Sequence, residues 1–166
     1  MDPQAVIDVF RRNVTKHYFD LKGRVSRKEF WYFVLACFVV YIGAAIVDAV
    51  LRTGLLTLAV SLALLLPMTG MGARRLQDTG RNGQLVWLWM LGWFVAQILG
   101  LITLVSTPYG AMDAWYLVFT TGWLISLGNL AAIVISVVLI YFWIQPGTAG
   151  ANEYGPDPLA GVAAPA

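Results

Sequence analysis

The sequence has very little cysteine, histidine and charge. One cysteine, Cys37, and one histidine, His17, stand among 166 residues, which excludes a disulfide framework and a metal site built from several Cys or His side chains of one chain. Charged residues make up 12% of the chain and hydrophobic residues 59%, a balance too apolar for an ordinary soluble domain. We therefore expect an integral membrane protein that binds neither a metal nor a cofactor.

Long apolar runs separated by short polar stretches divide the chain into three parts. A membrane helix needs about 20 residues to cross about 30 Å of hydrocarbon, and the runs predict four such helices, at about 30–51, 55–73, 85–105 and 115–144. The predicted fold class is an all-α membrane protein with this four-helix domain over residues 30–144. A cytoplasmic amphipathic segment, 1–29, precedes it, and a cytoplasmic, largely disordered tail, 145–166, follows it.

The N-terminal segment has the pattern of an amphipathic helix. Asp2 and Pro3 suit a helix start, with Asp as the N-cap and Pro at the first helical position. Apolar residues then recur every four positions, at Val6, Phe10, Val14 and Tyr18, while the basic residues fall elsewhere. This pattern predicts a helix lying on the membrane surface. The alternative is a helix packed against the protein's own cytoplasmic loops.

Basic residues are absent after Arg81, and their distribution predicts the topology. Seven Lys or Arg precede the first predicted span and three lie in the stretch after the second, whereas Arg52 stands alone in the turn between these spans. With four spans, the positive-inside rule places both termini in the cytoplasm. The same rule accounts for the basic N-terminal segment, so we expect no nucleic-acid binding.

Three polar residues fall within the predicted spans. Asp48 lies near the end of the first span and Arg52 follows at i+4, so we expect an ion pair at the interface rather than a functional acid. Gln97 and Asn129 lie near the middle of the third and fourth spans. For these two, a hydrogen bond between antiparallel helices is favoured over a transport site.

The most charged stretch lies between the second and third predicted spans. Residues 74–84 carry three arginines and one aspartate, and we expect them to form a loop at the bilayer surface. Arg74 and Arg75 at the end of the preceding helix suit its negative terminus and can reach lipid phosphates. Pro67 predicts a kink in that helix, and the small residues after it predict an irregular end.

Three stretches carry a family resemblance. Residues 18–31 read Tyr-Phe-Asp-Leu-Lys-Gly-Arg-Val-Ser-Arg-Lys-Glu-Phe-Trp, residues 74–83 read Arg-Arg-Leu-Gln-Asp-Thr-Gly-Arg-Asn-Gly, and residues 152–158 read Asn-Glu-Tyr-Gly-Pro-Asp-Pro. In this order they resemble the domain-of-unknown-function family 805 (DUF805). Members of that family are small bacterial inner-membrane proteins with a Gly-Arg-x-Ser-Arg-x-x-Phe-Trp start, an Arg-Arg-Leu-His-Asp centre and an Asn-x-Tyr-Gly end.

The resemblance covers nearly the whole chain and implies a location in the bacterial inner membrane with a common architecture. It implies no catalytic residues. The sequence departs from the family pattern at Gln77, where the family usually has His, and at Gln84 and Leu85, where it usually has a pair of Trp residues. A mechanism that needs that histidine is therefore not expected in this chain.

All three motifs fall on the cytoplasmic side of the predicted topology, so we expect their polar side chains to form one cluster. Its predicted members are Arg24, Arg27, Arg74, Arg75, Asp78, Arg81, Asn152, Tyr154 and Asp157. One interpretation is bracing, in which the aspartates neutralise arginines and tie the segments together. The other is a site for anionic lipid headgroups, because the planar guanidinium suits phosphate as well as carboxylate.

No pattern for catalysis accompanies this cluster. Phosphoryl and acyl transfer need a metal, an acid–base pair or a nucleophile with its base, and the chain has one histidine. We therefore predict a non-catalytic membrane binding or scaffold module whose cluster recognises anionic membrane lipid or a partner protein. The alternative function is a small transporter or channel subunit acting as an oligomer, and a homo-oligomer is compatible with both.

Overall fold

The computed structural model describes residues 2–53, 55–92, 94–95, 130 and 132–160. Within these ranges the chain is helical and contains no β-strand. Its elements are α1 (Pro3–Thr15), α2 (Arg27–Leu51), α3 (Leu55–Asp78), a 3₁₀ turn (Gly83–Leu85), helical residues 86–92 and 94–95, and α4 (Ala132–Ile144). Gln97, Asn129 and most of the third and fourth predicted spans lie outside the described residues.

The chain forms two compact units. The first comprises Met1–Gly83 with Phe142–Ala166, and the second comprises Gln84–Tyr141. In the second unit a Cβ on Gly92 would lie 3.6 Å from the Cβ of Ala132, so small residues allow the helices to approach each other there. The first unit contains α1, α2 and α3 and all nine residues of the predicted polar cluster.

Helix α1 begins where the sequence predicts. The side chain of Asp2 accepts a hydrogen bond from the amide of Gln4 at 3.0 Å, as an N-cap does. The apolar side of the helix packs on the protein itself, since the ring of Phe10 stacks on that of Phe33 with centroids 5.9 Å apart. Phe33 belongs to α2 rather than to a cytoplasmic loop, so the helix on the membrane surface and the helix packed on cytoplasmic loops both stay predictions.

Helix α2 begins at a capping residue. Ser26 accepts a hydrogen bond from the amide of Glu29 at 3.3 Å, so the helix begins at Arg27, three residues before the predicted span. Helices α2 and α3 are long and apolar enough to cross a membrane by length and composition, and α4 is apolar but shorter. The four-span arrangement stays a prediction.

The turn between α2 and α3 is held by Asp48. Its carboxylate accepts hydrogen bonds from the hydroxyl of Thr53 at 2.5 Å and from the amides of Leu56 at 3.2 Å and Thr57 at 2.6 Å. These partners replace the predicted ion pair with Arg52, which instead adopts a left-handed backbone conformation that ends α2. Asp48 therefore caps the start of α3 from the preceding helix.

Helix α3 continues without a break through Pro67. Because proline has no amide hydrogen, the carbonyl of Ala63, four residues earlier, lacks its usual donor. The hydroxyl of Tyr18 donates to that carbonyl at 2.7 Å. The irregular end that the small residues predicted is therefore absent, and the N-terminal segment supplies the hydrogen bond that the proline removes.

The last three turns of α3 are buried by protein. Residues from Thr69 to Asp78 have little or no exposed surface, and the helix continues five residues beyond the predicted end of the second span. A Cβ on Gly70 would lie 2.8 Å from the backbone oxygen of Asp20, so the segment before α2 lies directly on this part of α3. The stretch 74–78, which the sequence predicted as loop, is helical because it is enclosed in this way.

Candidate functional site: a buried polar cluster at the end of α3

The centre of the site is a carboxylate between two guanidinium groups. Arg75 and Asp78 are three residues apart on α3 and so lie on one face of the helix, where they form an ion pair. Arg24 approaches the same carboxylate from the segment before α2, with its Nε 3.0 Å and its Nη2 2.9 Å from Oδ1. We call these three residues the Asp78 cluster.

The Asp78 cluster is almost completely enclosed. The side chain of Arg75 has no exposed surface, and those of Arg24 and Asp78 are 2% and 4% exposed. Charged groups are costly to remove from water unless they are paired and hydrogen-bonded. The remaining donors of both arginines must therefore find acceptors within the protein.

Main-chain carbonyls in the last turn of α4 and in the chain after it supply those acceptors. Arg75 donates from Nε to the oxygen of Trp143 at 3.0 Å and from Nη2 to the oxygen of Gln145. Arg24 donates to the oxygens of Thr148 at 2.6 Å and Gly150 at 2.5 Å. The chain after α4 therefore completes the Asp78 cluster.

The same segment also contacts the end of α3 directly. The amide of Thr148 donates to the carbonyl of Asp78 at 2.8 Å. Gly147 lies so close to the Asp78 carboxylate that a Cβ there would overlap it. Residues 145–160, the C-terminal segment, thus follow a defined path, which differs from the largely disordered tail expected from their Gly, Pro and Ala content. Long-range bonds to buried arginines, rather than local composition, fix this path.

Asn152 and Tyr154 form a tight turn in the C-terminal segment. Asn152 donates from Nδ2 to the carbonyl of Gln77 at 3.0 Å and accepts from the amide of Tyr154 at 2.9 Å. Paired backbone bonds with Gly155 close the turn. The neighbouring carboxylate of Glu153 raises the pKa of Tyr154, first through a side-chain hydrogen bond. Asn152 therefore anchors the turn to α3.

Asp157 braces the C-terminal segment from within. Its carboxylate accepts from the amides of Leu159 at 2.9 Å and Gly150 at 3.0 Å. These two bonds, and to a lesser degree the charge of Arg24, hold the pKa of Asp157 below its ordinary value. Asp157 is therefore ionised at neutral pH and lies close enough to Arg24 to offset part of its charge.

Arg27 and Arg81 lie at the edge of the site rather than within it. Arg27 is exposed and donates to the carbonyl of Ile144 at 3.4 Å. The Cζ of Arg81 lies 4.2 Å from the centre of the Phe142 ring, a cation–π contact in which the aromatic face attracts the charge. Neither residue contacts the Asp78 carboxylate.

Arg74 belongs to a second polar group, separate from the Asp78 cluster. Its Nη2 donates to the side-chain oxygen of Asn13 on α1 at 2.6 Å and contacts the sulfur of Met71 at 3.2 Å. Adjacent helical residues point about 100° apart, so Arg74 and Arg75 face different neighbours. The expectation of one cluster is thus met only in part.

The second polar group continues into the segment before α2. His17 and Asp20 form a hydrogen-bonded pair at 3.1 Å. Burial opposes ionisation of Asp20, but the amide of Lys22, the His17 ring and the charge of Arg74 together lower the pKa of Asp20. Asn13 was not among the predicted site residues, although it interrupts the apolar side of α1 three residues after Phe10, and such a polar residue on an apolar helix face is a usable signal.

Gln77 occupies the position at which the family that the sequence resembles usually has histidine. Its Nε2 donates to the carbonyl of Leu21 at 2.9 Å. Its Oε1 is buried without a hydrogen-bond partner among the described residues. Gly83 packs so closely that a Cβ there would lie 2.7 Å from the Gln77 Nε2. Gln77 therefore acts as a contact between α3 and the segment before α2.

The arrangement of the Asp78 cluster suits bracing. Its arginine donors are directed at one carboxylate and at neutral carbonyls of the same chain. In the part of the chain that the structure describes, no group of three or more His, Cys, Asp or Glu side chains is placed to hold a metal ion.

The fold and the site together define a small helical membrane protein: two helices of membrane-crossing length and composition, and a buried Arg/Asp cluster at one end. The chain matches the family "Protein of unknown function (DUF805)" over residues 18–156, and it belongs to that family. This confirms the resemblance carried by the three motifs.

Two curated relatives from Escherichia coli (strain K12) are named as inner membrane proteins. The chain is 30% identical over 151 residues to the inner membrane protein YhaI, covering 90% of this chain and 94% of YhaI. It is 28% identical over 151 residues to the inner membrane protein YhaH, covering 87% of this chain and 92% of YhaH. No solved structure matches the chain.

Proposed function

We propose that the chain is a non-catalytic scaffold module of the bacterial inner membrane, in which the Asp78 cluster holds a cytoplasmic layer together. The layer consists of α1, the segment before α2, the end of α3 and the C-terminal segment. The observation that carries the proposal is the bonding of Arg24 and Arg75, both enclosed, to Asp78 and to main-chain carbonyls at the end of α4 and after it. Four spans with both termini in the cytoplasm are part of this proposal.

The bonding pattern argues against a lipid headgroup at the Asp78 cluster itself. A phosphate there would have to displace the C-terminal segment from two arginines and approach an aspartate of its own charge. Removing one partner of a buried ion pair typically costs about 3–5 kcal/mol. Arg24 and Arg75 therefore contribute to stability, and headgroup contact is assigned to other residues.

Basic side chains on the outside of the same layer are available to anionic lipid. Arg27 and Lys28 are exposed in the first turn of α2, and the Lys28 Nζ lies 5.6 Å from the centre of the Tyr32 ring. Cations beside aromatic rings are typical of the membrane interface, and each basic residue near an anionic surface contributes about 1 kcal/mol. Further exposed basic residues are Arg11, Lys16 and Lys22.

The test separates bracing from lipid binding with two matched variants. Arg75→Gln and the double variant Arg27→Gln/Lys28→Gln are extracted in mild detergent and compared with the wild type. Native mass spectrometry measures the phosphatidylglycerol retained per folded protein, and unfolding in mixed micelles with SDS measures stability. Arg75→Gln is expected to lower stability by about 3–5 kcal/mol without changing lipid retention. The double variant is expected to lose lipid at nearly unchanged stability, because the only hydrogen bond described for Arg27 is an exposed one of 3.4 Å to the carbonyl of Ile144.

The opposite pattern would overturn the proposal. If Arg75→Gln removes the bound phosphatidylglycerol while the unfolding free energy stays at the wild-type value, the Asp78 cluster is a headgroup site. If the double variant retains as much phosphatidylglycerol as the wild type, the assignment of lipid contact to the first turn of α2 is wrong.

A further inference from the structure

The part of α2 and α3 that the protein leaves uncovered is shorter than a usual bilayer core. We propose that this helical hairpin fits a hydrocarbon layer of about 22–25 Å, against about 30 Å in a typical bilayer. Its preferred lipid partners then have short acyl chains. The proposal rests on α2 and α3 crossing the membrane, as the proposed function also requires.

The exposed surface of α2 gives the first estimate. Phe30 and Phe33, in the first two turns, are fully buried by protein. Large exposed apolar side chains begin at Leu35 and continue to Leu51. At 1.5 Å per residue, this stretch is about 24 Å long.

The covered end of α3 sets an upper limit on the corresponding length of that helix. Its large exposed apolar side chains lie between Leu55 and Leu62, and from Thr69 onward the helix is covered by protein. The polar Asp20 touches it at Gly70. From Leu55 to Gly70 the helix rises by about 22 Å, so lipid tails on this side end there at the latest.

Aromatic and polar residues mark both ends of this zone. Tyr18 and Phe19 are exposed, and rings of this kind are expected at a membrane interface. The Tyr18 hydroxyl reaches the carbonyl of Ala63, six residues before the covered part of α3. At the other end, Asp48 binds the hydroxyl of Thr53 and the first amides of α3.

A thick bilayer penalises such a hairpin. A stretch shorter than the hydrocarbon core is accommodated by thinning the bilayer locally, at a fraction of a kcal/mol for each Å of mismatch. Tilting the helices does not help, because it shortens their extent along the membrane normal. The affinity for lipid should therefore fall as the acyl chains lengthen.

The experiment measures that affinity directly. The full chain is reconstituted with phosphatidylcholines carrying two monounsaturated chains of 14, 18 or 22 carbons. Quenching of tryptophan fluorescence by a brominated competitor gives the relative binding constant of each lipid. We expect the 14-carbon lipid to bind at least about threefold more strongly than the 22-carbon lipid. Equal binding, or a maximum at 18 carbons or more, would overturn the proposal.

A lengthened variant supplies the matched control. Four extra apolar residues after Ile46 and four after Leu58, at the same level of the two helices, add about 6 Å and leave the Asp48 turn intact. The preferred chain length should then move to 18 carbons, and an unchanged preference would refute the assignment to this hairpin. If the variant does not fold, the wild-type series decides alone.

Failure of the membrane premise is recognised separately. Alkaline washing releases proteins that are only adsorbed to vesicles. Release of the wild-type chain at all three acyl lengths would show that α2 and α3 do not cross the bilayer, and would remove both the proposed function and this proposal. Retention with no dependence on chain length would remove this proposal alone.

Discussion

The hydrogen bond from Tyr18 to the carbonyl of Ala63 provides a sharp test of how α3 tolerates Pro67. Replacing Tyr18 by Phe removes the hydroxyl and leaves the ring. The carbonyl then has no donor, either from the missing amide at Pro67 or from Tyr18. A hydrogen bond contributes about 0.5–1.5 kcal/mol and an unsatisfied buried partner costs about 1–3 kcal/mol. Because Tyr18 is 39% exposed, we expect the free energy of unfolding to fall by an amount near the lower end of these ranges, about 1 kcal/mol.

The double-mutant cycle isolates that bond. Pro67→Ala restores an amide that can donate to Ala63, so Tyr18→Phe should cost less than half as much in the Pro67→Ala background. The assay is the free energy of unfolding in mixed micelles of dodecyl maltoside and SDS, followed by tryptophan fluorescence. Tyr41→Phe is the control, because Tyr41 is exposed to a similar extent, 44%, on α2. Equal costs of Tyr18→Phe in both backgrounds would refute the reasoning.

Three further changes test the packing described above. Gly70→Ala places a Cβ against the backbone of Asp20 and should destabilise by about 1–3 kcal/mol in the same unfolding assay, whereas Gly43→Ala meets no atom within 4 Å and should be neutral or slightly stabilising. Asp48→Ala removes the cap of α3 and should lower the unfolding free energy by about 1–2 kcal/mol; an unchanged value would contradict the capping role. Because the pKa of Asp157 is lowered, its stabilising bonds are complete above about pH 4 and are lost as the pH falls below that value. Protease cleavage of the C-terminal segment should rise in that range, and Asp157→Asn should remove its contribution to the pH dependence.

Helix starts were predictable from the sequence because they depend on neighbouring residues. Asp2 followed by Pro3, and Ser26 followed by Glu29 at the capping-box spacing, are local patterns, and α1 and α2 begin directly after Asp2 and Ser26. The end of α3 was not predictable in this way. Hydropathy marks residues 74–78 as polar and therefore as loop, whereas their acceptors lie about 70 residues further along the chain.

The composition of the site was predictable in part. The three motifs predict that Arg24, Arg75, Asp78 and Asn152 lie near one another, and in the structure Arg24 and Arg75 pair with Asp78 while Asn152 bonds the carbonyl of Gln77. Nothing in the motif distinguishes Arg74 from Arg75, since only the direction of each side chain around α3 separates them. The main-chain acceptors after α4 carry no sequence signal either, because any residue type supplies a carbonyl.

The C-terminal segment was the largest difference between expectation and structure. Its Gly, Pro and Ala content is typical of chain that buries too little apolar surface to order itself. Here the order comes from outside the segment, through two enclosed arginines that need oxygen acceptors. Composition alone measures what a segment can do for itself and misses what another part of the protein requires of it.

The bonds between Arg75 and the carbonyls of Trp143 and Gln145 also constrain how the chain threads through a membrane. Their sequence separations are 68 and 70 residues, so the chain leaves the end of α3 and returns to the same end. In the proposed four-span topology, the two further crossings return the chain to the side on which α3 ends. A chain with an odd number of crossings would carry Trp143 to the opposite side and leave Arg75 without these acceptors. The Asp78 cluster thus favours a membrane topology in which Trp143 and Gln145 lie on the same side as the end of α3.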